Sequence, residues 1–167
     1  GWTLAVGSAD VNNDGWPDIY SANDFGQDQL FVNDGRGGFE NRTDSALGRD
    51  TKKGMNVDFG DFNNDGCQDI YWVGGGDTLD KLFINDCNGS GHFTEQAAAW
   101  GLTDLYRGVG AAAADIDRDG DVDLFVTSYG DMPGEPAPGY HRLYRNEGDG
   151  PFSDSTHAAG LADLRAR

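Results

Sequence analysis

Apolar and polar residues alternate in short stretches along the whole chain, and Gly, Asn and Asp separate one stretch from the next. Alternation with a period of two is typical of half-buried β-strands, and the separating residues favour tight turns. We expect little helix, because the only helix-friendly stretch, residues 95–100, is too short to stand alone and is predicted to be a turn between sheets. The predicted strands are residues 3–6, 18–22, 29–32, 39–42, 55–59, 69–73, 81–84, 92–95, 109–113, 123–127, 142–145 and 152–153.

One acidic segment occurs three times, at residues 10–20, 61–71 and 115–125, and divides the chain into three repeats. Each copy is followed by a second signature, a Leu and an aromatic residue with Asn and Phe further on. The third repeat is longer than the others because of a segment between Tyr129 and Tyr140. Its Pro and Gly content predicts an exposed loop.

Four short strands in about 50 residues, repeated head to tail, are the sequence form of a propeller blade. An immunoglobulin-like sandwich is the alternative, but sandwiches do not repeat internally at this interval. We therefore predict an all-β chain of three four-stranded antiparallel propeller blades. The expected limits within the single repeat array 1–167 are 1–50 for blade one, 51–104 for blade two and 105–167 for blade three.

Composition excludes two classes of function. No stretch of 18 apolar residues occurs among the 167, so we expect no membrane-spanning helix. Acidic residues outnumber basic ones by 29 to 12, for a formal net charge of −17. That charge would repel a phosphate backbone, so we expect no nucleic-acid binding. Because the acidic residues are not gathered in one tail or block, their individual positions matter.

We number the positions of each acidic loop from its first Asp, which is Asp10, Asp61 or Asp115. Oxygen-bearing side chains then occupy positions 1, 3, 5 and 9, and Gly occupies position 6, where the chain must bend. With a backbone carbonyl at position 7, this spacing predicts an oxygen cage suited to Ca²⁺, whereas Mg²⁺ prefers a shorter and more rigid shell. Turns that only link hairpins are the alternative, which three equally spaced copies disfavour.

The loop also leads into a strand and lacks the Glu at position 12 of an EF-hand. We predict about three Ca²⁺ ions, one in each repeat. The predicted ligands are Asp10, Asn12, Asp14, Asp18 and the carbonyl of Trp16; Asp61, Asn63, Asp65, Asp69 and the carbonyl of Cys67; and Asp115, Asp117, Asp119, Asp123 and the carbonyl of Asp121.

These three loops, together with the segment at residues 143–152, resemble FG-GAP/VCBS repeats. Such repeats occur in integrin alpha-chain propellers, in cartilage-acidic-protein-like secreted proteins and in many bacterial surface proteins. The resemblance implies a calcium-bound β-propeller used outside cells in adhesion, ligand binding or scaffolding. Family propellers usually close with about seven blades, whereas this chain holds three.

Three blades are too few to close a ring and would leave apolar blade faces uncovered. We expect one of two explanations: further blades in a longer chain, or copies of this chain that cover one another as a homo-oligomer or a filament. A protein or glycan ligand is the other expected partner.

Cys67 and Cys87 both lie in repeat two, which suggests a local disulfide and a secreted or cell-surface location; a free buried pair is the alternative. Asn41 and Asn88 each begin an N-glycosylation acceptor triplet. The aromatic residues that recur in every repeat are predicted to pack between blades. Trp2, Trp72 and Trp100 do not recur, and they are candidates for contact with a ligand or partner.

The sequence offers no recognisable catalytic spacing of its three His residues and no nucleophile elbow. We therefore predict a non-enzymatic, calcium-stabilised extracellular propeller segment that acts in adhesion, recognition or scaffolding. Two alternatives remain: a self-assembling surface filament, and part of a propeller polysaccharide lyase or hydrolase.

Overall fold

Strands are the main regular secondary structure of this protein. A computed structural model describes residues 2–48, 53–76, 78–105, 107–129, 140–148 and 150–162. Its elements are β1 (Thr3–Ala9), β2 (Asp18–Asn23), β3 (Gln29–Asn33), β4 (Phe39–Asn41), α1 (Thr43–Ala46), β5 (Gly54–Gly60), β6 (Asp69–Gly74), β7 (Lys81–Asn85), β8 (Phe93–Glu95), β9 (Gly108–Ala114), β10 (Asp123–Ser128), β11 (Arg142–Arg145) and β12 (Ser153–Asp154).

The strands form three separate antiparallel sheets of four strands each, ordered β1-β2-β3-β4, β5-β6-β7-β8 and β9-β10-β11-β12. Neighbours in sequence are therefore neighbours in the sheet, as expected when tight turns join them. This arrangement confirms the predicted fold class, and we call the three sheets blade one, blade two and blade three.

The first strand of each blade is longer than the sequence pattern predicts. β1 runs to Ala9, beyond the predicted end at residue 6, and Ala9 pairs with Asp18. Gly60 pairs with Asp69 and Ala114 with Asp123 in the same way. Small residues at these strand ends hide the alternation on which the prediction depended.

Each blade closes on a compact turn after its fourth strand. Residues 97–101 form the predicted turn in blade two, whereas the equivalent segment of blade one is the short helix α1, which the sequence did not predict. Thr43 begins this helix, and its hydroxyl accepts a hydrogen bond from the Leu30 N–H at 2.8 Å. Thr156 accepts the Leu143 N–H in blade three at 2.9 Å.

Adjacent blades pack face to face through two apolar clusters. Ile70 of β6 belongs to the cluster shared with blade one, and its neighbour Tyr71 belongs to the cluster shared with blade three. Successive side chains of a strand point to opposite faces, so one blade supplies both clusters. We call the face toward the preceding blade the leading face and the opposite one the trailing face.

Six of the recurring aromatic residues lie in these clusters, as predicted: Tyr20, Tyr71, Phe83, Phe93, Tyr144 and Phe152. Phe31, Phe39 and Phe125 lie outside both clusters, and Phe39 is exposed.

The prediction that Trp72 contacts a ligand or partner was wrong. Trp72 is almost fully buried, and its indole N–H donates to the Asp28 carboxylate of blade one. Trp100 is half-buried and packs against Phe152 with ring centroids 5.4 Å apart, whereas Trp2 is exposed, and for these two residues the contact stays a prediction.

The blades approach so closely that side chains would collide at two glycine positions. A Cβ on Gly7 would lie 2.6 Å from the Phe59 ring, and one on Gly108 would lie 2.3 Å from a methyl group of Val73. Glycine at these positions lets the first strand of one blade lie directly against the next blade.

In blades two and three, an Asn at or after the end of the third strand forms a hydrogen bond with the preceding blade. The Asn85 side-chain amide donates to the Val11 carbonyl of blade one at 2.8 Å, and Asn146 donates to the Phe62 carbonyl of blade two at 2.7 Å. Both side chains are buried. We call these two contacts the inter-blade amide bonds.

Some predictions concern residues outside the described part of the chain. The limit between residues 50 and 51 falls within residues 49–52, and most of the predicted insertion falls within residues 130–139. The blade limits therefore stay predictions. Among the described residues, no helix is long and apolar enough to span a membrane.

Replacing Asn85 with Ala should lower the free energy of unfolding by about 1–3 kcal/mol, because it leaves the buried Val11 carbonyl without a partner. Urea unfolding measures the change. The control is Asn88→Ala, which removes an exposed Asn that accepts only a local N–H in the following turn. An equal effect in both variants would contradict a role for the inter-blade amide bond.

Candidate metal centre

The three acidic loops connect the first and second strands of the three blades and share one backbone conformation. Position 4 has a positive φ in every loop, at Asn13 (56°), Asn64 (57°) and Arg118 (68°). The Gly at position 6 also has a positive φ of 88–105° in the three loops. This conformation suits Gly and costs other residues more, so the sharp bend predicted at position 6 is confirmed.

The carboxylate at position 1 holds each loop in a tight curl. Asp10 accepts the N–H of Asp14 at 3.1 Å with one oxygen and that of Gly15 at 2.7 Å with the other. Asp61 and Asp115 accept equivalent bonds in their own loops. The curl therefore brings the backbone of positions 5 and 6 back to the position 1 carboxylate.

The carboxylate at position 9 is buried and connects the loop to the end of the third strand through two hydrogen bonds. Asp18 accepts the Val11 N–H at 2.9 Å and the Asn33 N–H at 2.8 Å, one with each oxygen. Asp69 and Asp123 repeat this pair of bonds. The sequence pattern predicts these residues as metal ligands. It gave no sign that they also hold the third strand, because the N–H donor on that strand lies 15 or more residues away.

Carboxylates converge most closely in the third loop. Ligand atoms of Asp115, Asp117 and Asp123 all lie within 4.8 Å of one another. Loops one and two have Asn at position 3 instead, and Asn12 and Asn63 donate to Asp14 and Asp65. The three loops are therefore equivalent in backbone but carry different charge.

The position 7 residues were predicted to offer a backbone carbonyl, and this stays a prediction. Their N–H groups donate to the position 5 carboxylates: Trp16 to Asp14 at 2.9 Å, with equivalent bonds in the other loops. The structure brings carboxylates of positions 1, 3 and 9 together in the third loop, and the complete ligand sets of the three loops stay predictions.

Comparison with protein families identifies the repeat. The model of the FG-GAP-like repeat matches residues 10–72 and 68–126, which together contain all three acidic loops. The chain belongs to the FG-GAP-like repeat family. A search of the curated proteins found no match.

Burial raises the pKa of two position 9 carboxyl groups of this FG-GAP-like chain, Asp69 and Asp18. Burial raises the pKa of Asp69 from its ordinary 3.8 to about 7, although two backbone N–H donors oppose the shift, and the nearby carboxylates of Asp65 and Asp61 raise it further. The pKa of Asp18 is raised for the same reasons. A cation in the loop would favour the ionised form.

The loops also touch one another in order along the chain. The Asn13 amide at position 4 of loop one lies 3.1 Å from Cys67 Sγ at position 7 of loop two. Asn64 donates to the Asp121 carboxylate in the same way. Position 4 of one loop therefore meets position 7 of the next.

Cys67 and Cys87 form the disulfide that was predicted within repeat two. It fastens position 7 of loop two to the turn after β7. In the other blades the position 7 side chain lies against a Gly of that turn, Trp16 against Gly35 and Asp121 against Gly148. Because both sulfurs are bonded to each other, they are not thiolate ligands.

The two glycosylation triplets differ in their surroundings. Asn88 is exposed on the turn between β7 and β8. The Asn41 side chain accepts both the N–H and the hydroxyl of Thr43, at 3.1 and 2.7 Å, and Thr43 is buried. Glycosylation at either site stays a prediction, and the exposed turn favours Asn88.

The metal-free protein should lose stability as the pH rises from about 4 to about 7. The folded state holds the Asp69 proton more tightly than the unfolded state, because burial raises its pKa to about 7. The contribution is therefore present at low pH and is lost as the pH passes the folded-state pKa. Urea unfolding in chelator across this range measures it.

Asp69→Asn should flatten this part of the pH profile, and Asp104→Asn, which alters an exposed carboxylate outside the loops, should not. A profile that Asp69→Asn leaves unchanged would show that this carboxyl does not titrate there.

Proposed function

We propose that this FG-GAP-like chain is a calcium-stabilised β-propeller segment that acts outside cells in adhesion, ligand recognition or scaffolding, without catalysis. The observation that carries the proposal is the repeated loop geometry: three loops have the same curl and carry oxygen-bearing side chains at positions 1, 3, 5 and 9. In the third loop, three carboxylates meet within 4.8 Å.

The chemistry of the donor set fits Ca²⁺. The predicted ligands are carboxylate, amide and backbone carbonyl oxygens, the hard donors that Ca²⁺ prefers. The position 1 and position 9 carboxylates each accept two N–H bonds, but every carboxylate oxygen has a second lone pair for a metal. Calcium would supply positive charge among carboxylates that otherwise repel one another.

The third loop should hold its ion in a different electrostatic setting from the first two. Asp117 provides a carboxylate where loops one and two have Asn, and Arg145 lies 2.6 Å from it. The positions of blades one and two that correspond to Arg145 are Val32 and Ile84. Arg145 therefore offsets part of the additional charge.

The disulfide between Cys67 and Cys87 supports an extracellular location, since such bonds persist in oxidising compartments. Calcium at extracellular levels suits loops of this kind. Adhesion or scaffolding is the activity for which an acidic array of rigid blades, with exposed turns at its edges, is suited.

The basic side chains of one surface groove already lie against carboxylates, which disfavours lyase chemistry on an acidic polymer there. The groove, of about 460 Å³, lies between blades one and two beside Asn12 of loop one. Its Arg42 pairs with Glu40 at 2.8 Å, and its His92 lies 2.7 Å from Asp86. A uronate polymer would have to displace both carboxylates. Lyase activity on such polymers would favour the enzymatic alternative.

Removing calcium should lower the melting temperature, because an ion that binds only the folded state stabilises it. At 100 times the dissociation constant, one site contributes about 2.7 kcal/mol. Melting curves in calcium and in excess chelator measure the difference. Identical curves in the two conditions would contradict the proposal.

Single-loop variants sharpen this test. Asp14→Asn, Asp65→Asn and Asp119→Asn each remove one carboxylate charge but keep an oxygen that can accept the N–H of position 7. Each should lower the number of bound ions by about one and reduce the calcium-dependent rise in melting temperature. Asp104→Asn, outside the loops, should reduce neither.

A further inference from the structure

The surface groove between blades one and two lies where a small residue replaces the tryptophan of the equivalent interface between blades two and three. Ala46 and Trp100 are equivalent: Ala46 donates its N–H to the Arg42 carbonyl, and Trp100 donates to that of Gln96, one turn earlier in each case. Trp100 packs on Phe152 of blade three, with ring centroids 5.4 Å apart. Ala46 has only a methyl group in this place, and it lines the groove.

The wall that blade two contributes to the groove is an extended and firmly held turn. Residues 86–92 connect β7 to β8, whereas residues 34–38 connect β3 to β4, so the turn of blade two is two residues longer. A disulfide ties Cys87 of this turn to loop two, and the Asp86 N–H donates to the His92 carbonyl at 2.9 Å. The wall is therefore in place before a ligand arrives, which lowers the cost of binding.

The groove continues toward loop one and ends at an exposed aromatic side chain. A second depression of about 470 Å³ shares Asn12, Val32 and Arg42 with it and extends to Trp16. We call the two depressions together the rim groove. Trp16 is 51% exposed, and its indole packs closely on Gly35, where a Cβ would lie 2.9 Å from Nε1. The rim groove thus has a fixed aromatic surface at one end and the long turn of blade two at the other.

Hydrogen-bond donors and acceptors alternate along the rim groove. Arg42 contacts Glu40 through Nε at 2.8 Å, and most of the five N–H donors of a guanidinium remain for a ligand. The Asn88 side-chain oxygen accepts a backbone N–H of its own turn, which leaves its NH₂ group as a donor. Asp86 lies 2.7 Å from His92 Nδ1, and a carboxylate has further lone pairs. Hydroxyl groups, which both donate and accept, match such a set.

The charges of the rim groove disfavour an ionic ligand. Glu40 already pairs with Arg42, and Asp86 lies beside His92. Asp34 accepts two backbone N–H groups of its own turn. A cationic ligand would therefore compete with existing partners of these carboxylates. An anionic ligand would meet the same carboxylates and a chain whose formal net charge is −17. A neutral ligand avoids both costs.

We propose that the rim groove binds a neutral oligosaccharide, whose hydroxyl groups pair with Arg42, Asp86 and Asn88 while one sugar ring packs on Trp16. A sugar ring carries C–H groups on one face, and the negative face of an indole ring attracts them. Two adjoining depressions suit a chain of sugars better than a single one. The inference rests on the proposed recognition function and names its ligand class.

Isothermal titration calorimetry tests the ligand class. The protein is produced without N-glycosylation, because Asn88 lines the groove. The probes are short neutral oligosaccharides of glucose, galactose, mannose and N-acetylglucosamine, with oligogalacturonate and oligolysine as charged comparisons. We expect at least one neutral probe to bind and neither charged probe to compete with it. Failure of every neutral probe, or tighter binding of a charged one, would overturn the proposal.

Calcium dependence is measured separately, so that the two proposals can fail independently. Each titration is run in calcium and in excess chelator beside the melting curves. A neutral oligosaccharide that binds in both buffers supports the rim groove even if calcium leaves the melting temperature unchanged. Calcium stabilisation without binding of any neutral probe would overturn this inference and leave the calcium proposal standing.

Variants place the bound sugar in the rim groove. Trp16→Ala should weaken binding about tenfold or more, because it removes the aromatic surface. Phe25→Ala is the control, since it removes an exposed aromatic side chain of blade one outside the groove, and it should bind normally. Ala46→Trp places the equivalent side chain of blade two in the groove and should abolish binding with an unchanged circular dichroism spectrum. Trp16→Ala decides the question if Ala46→Trp does not fold: binding equal to that of Phe25→Ala would overturn the proposal.

Discussion

The pair of hydrogen bonds that each position 9 carboxylate accepts is the interaction on which the rest of the fold depends. Asp18 binds the backbone N–H of the acidic loop with one oxygen and that of Asn33 with the other, and Asp69 and Asp123 do the same. A single buried side chain thereby fixes the loop, the start of the second strand and the end of the third. Removing it would leave two buried N–H donors without partners, which costs more than one exposed hydrogen bond.

This clamp also positions the contacts between blades. By holding Asn85 and Asn146, it places their amides within reach of the preceding loop. The alternation of side chains along each strand then supplies an apolar surface on both faces of the sheet. Blade two buries one face on blade one and the other on blade three through equivalent strand positions, which explains why the two interfaces resemble each other.

The sequence predicted the local features well because they depend on residues close together in the chain. Period-two alternation located the twelve strands, and the spacing from Asp10 to Asp18 located the acidic loop. The small residues at Ala9 and Gly60 carried no alternation, so the extended first strands were missed. Thr43, at the start of helix α1, accepts the N–H of the distant Leu30, a contact that no local pattern reveals.

The contacts between blades could not be predicted from the residues of a single repeat. Trp72 has no equivalent in the other repeats and so suggested a binding surface, whereas it fills the interface beside Asp28. The inter-blade bonds of Asn85 and Asn146 became evident only when one blade was seen against another. Val57 and Val6 occupy equivalent strand positions, but Val57 is buried against a neighbouring blade and Val6 is exposed.

A crystal structure of the chain grown in calcium would test the central claim most directly. The account predicts one ion in each acidic loop, with oxygen ligands at about 2.3–2.6 Å from positions 1, 3, 5, 7 and 9. Density for water alone among Asp115, Asp117 and Asp123, the three carboxylates that converge most closely, would contradict it.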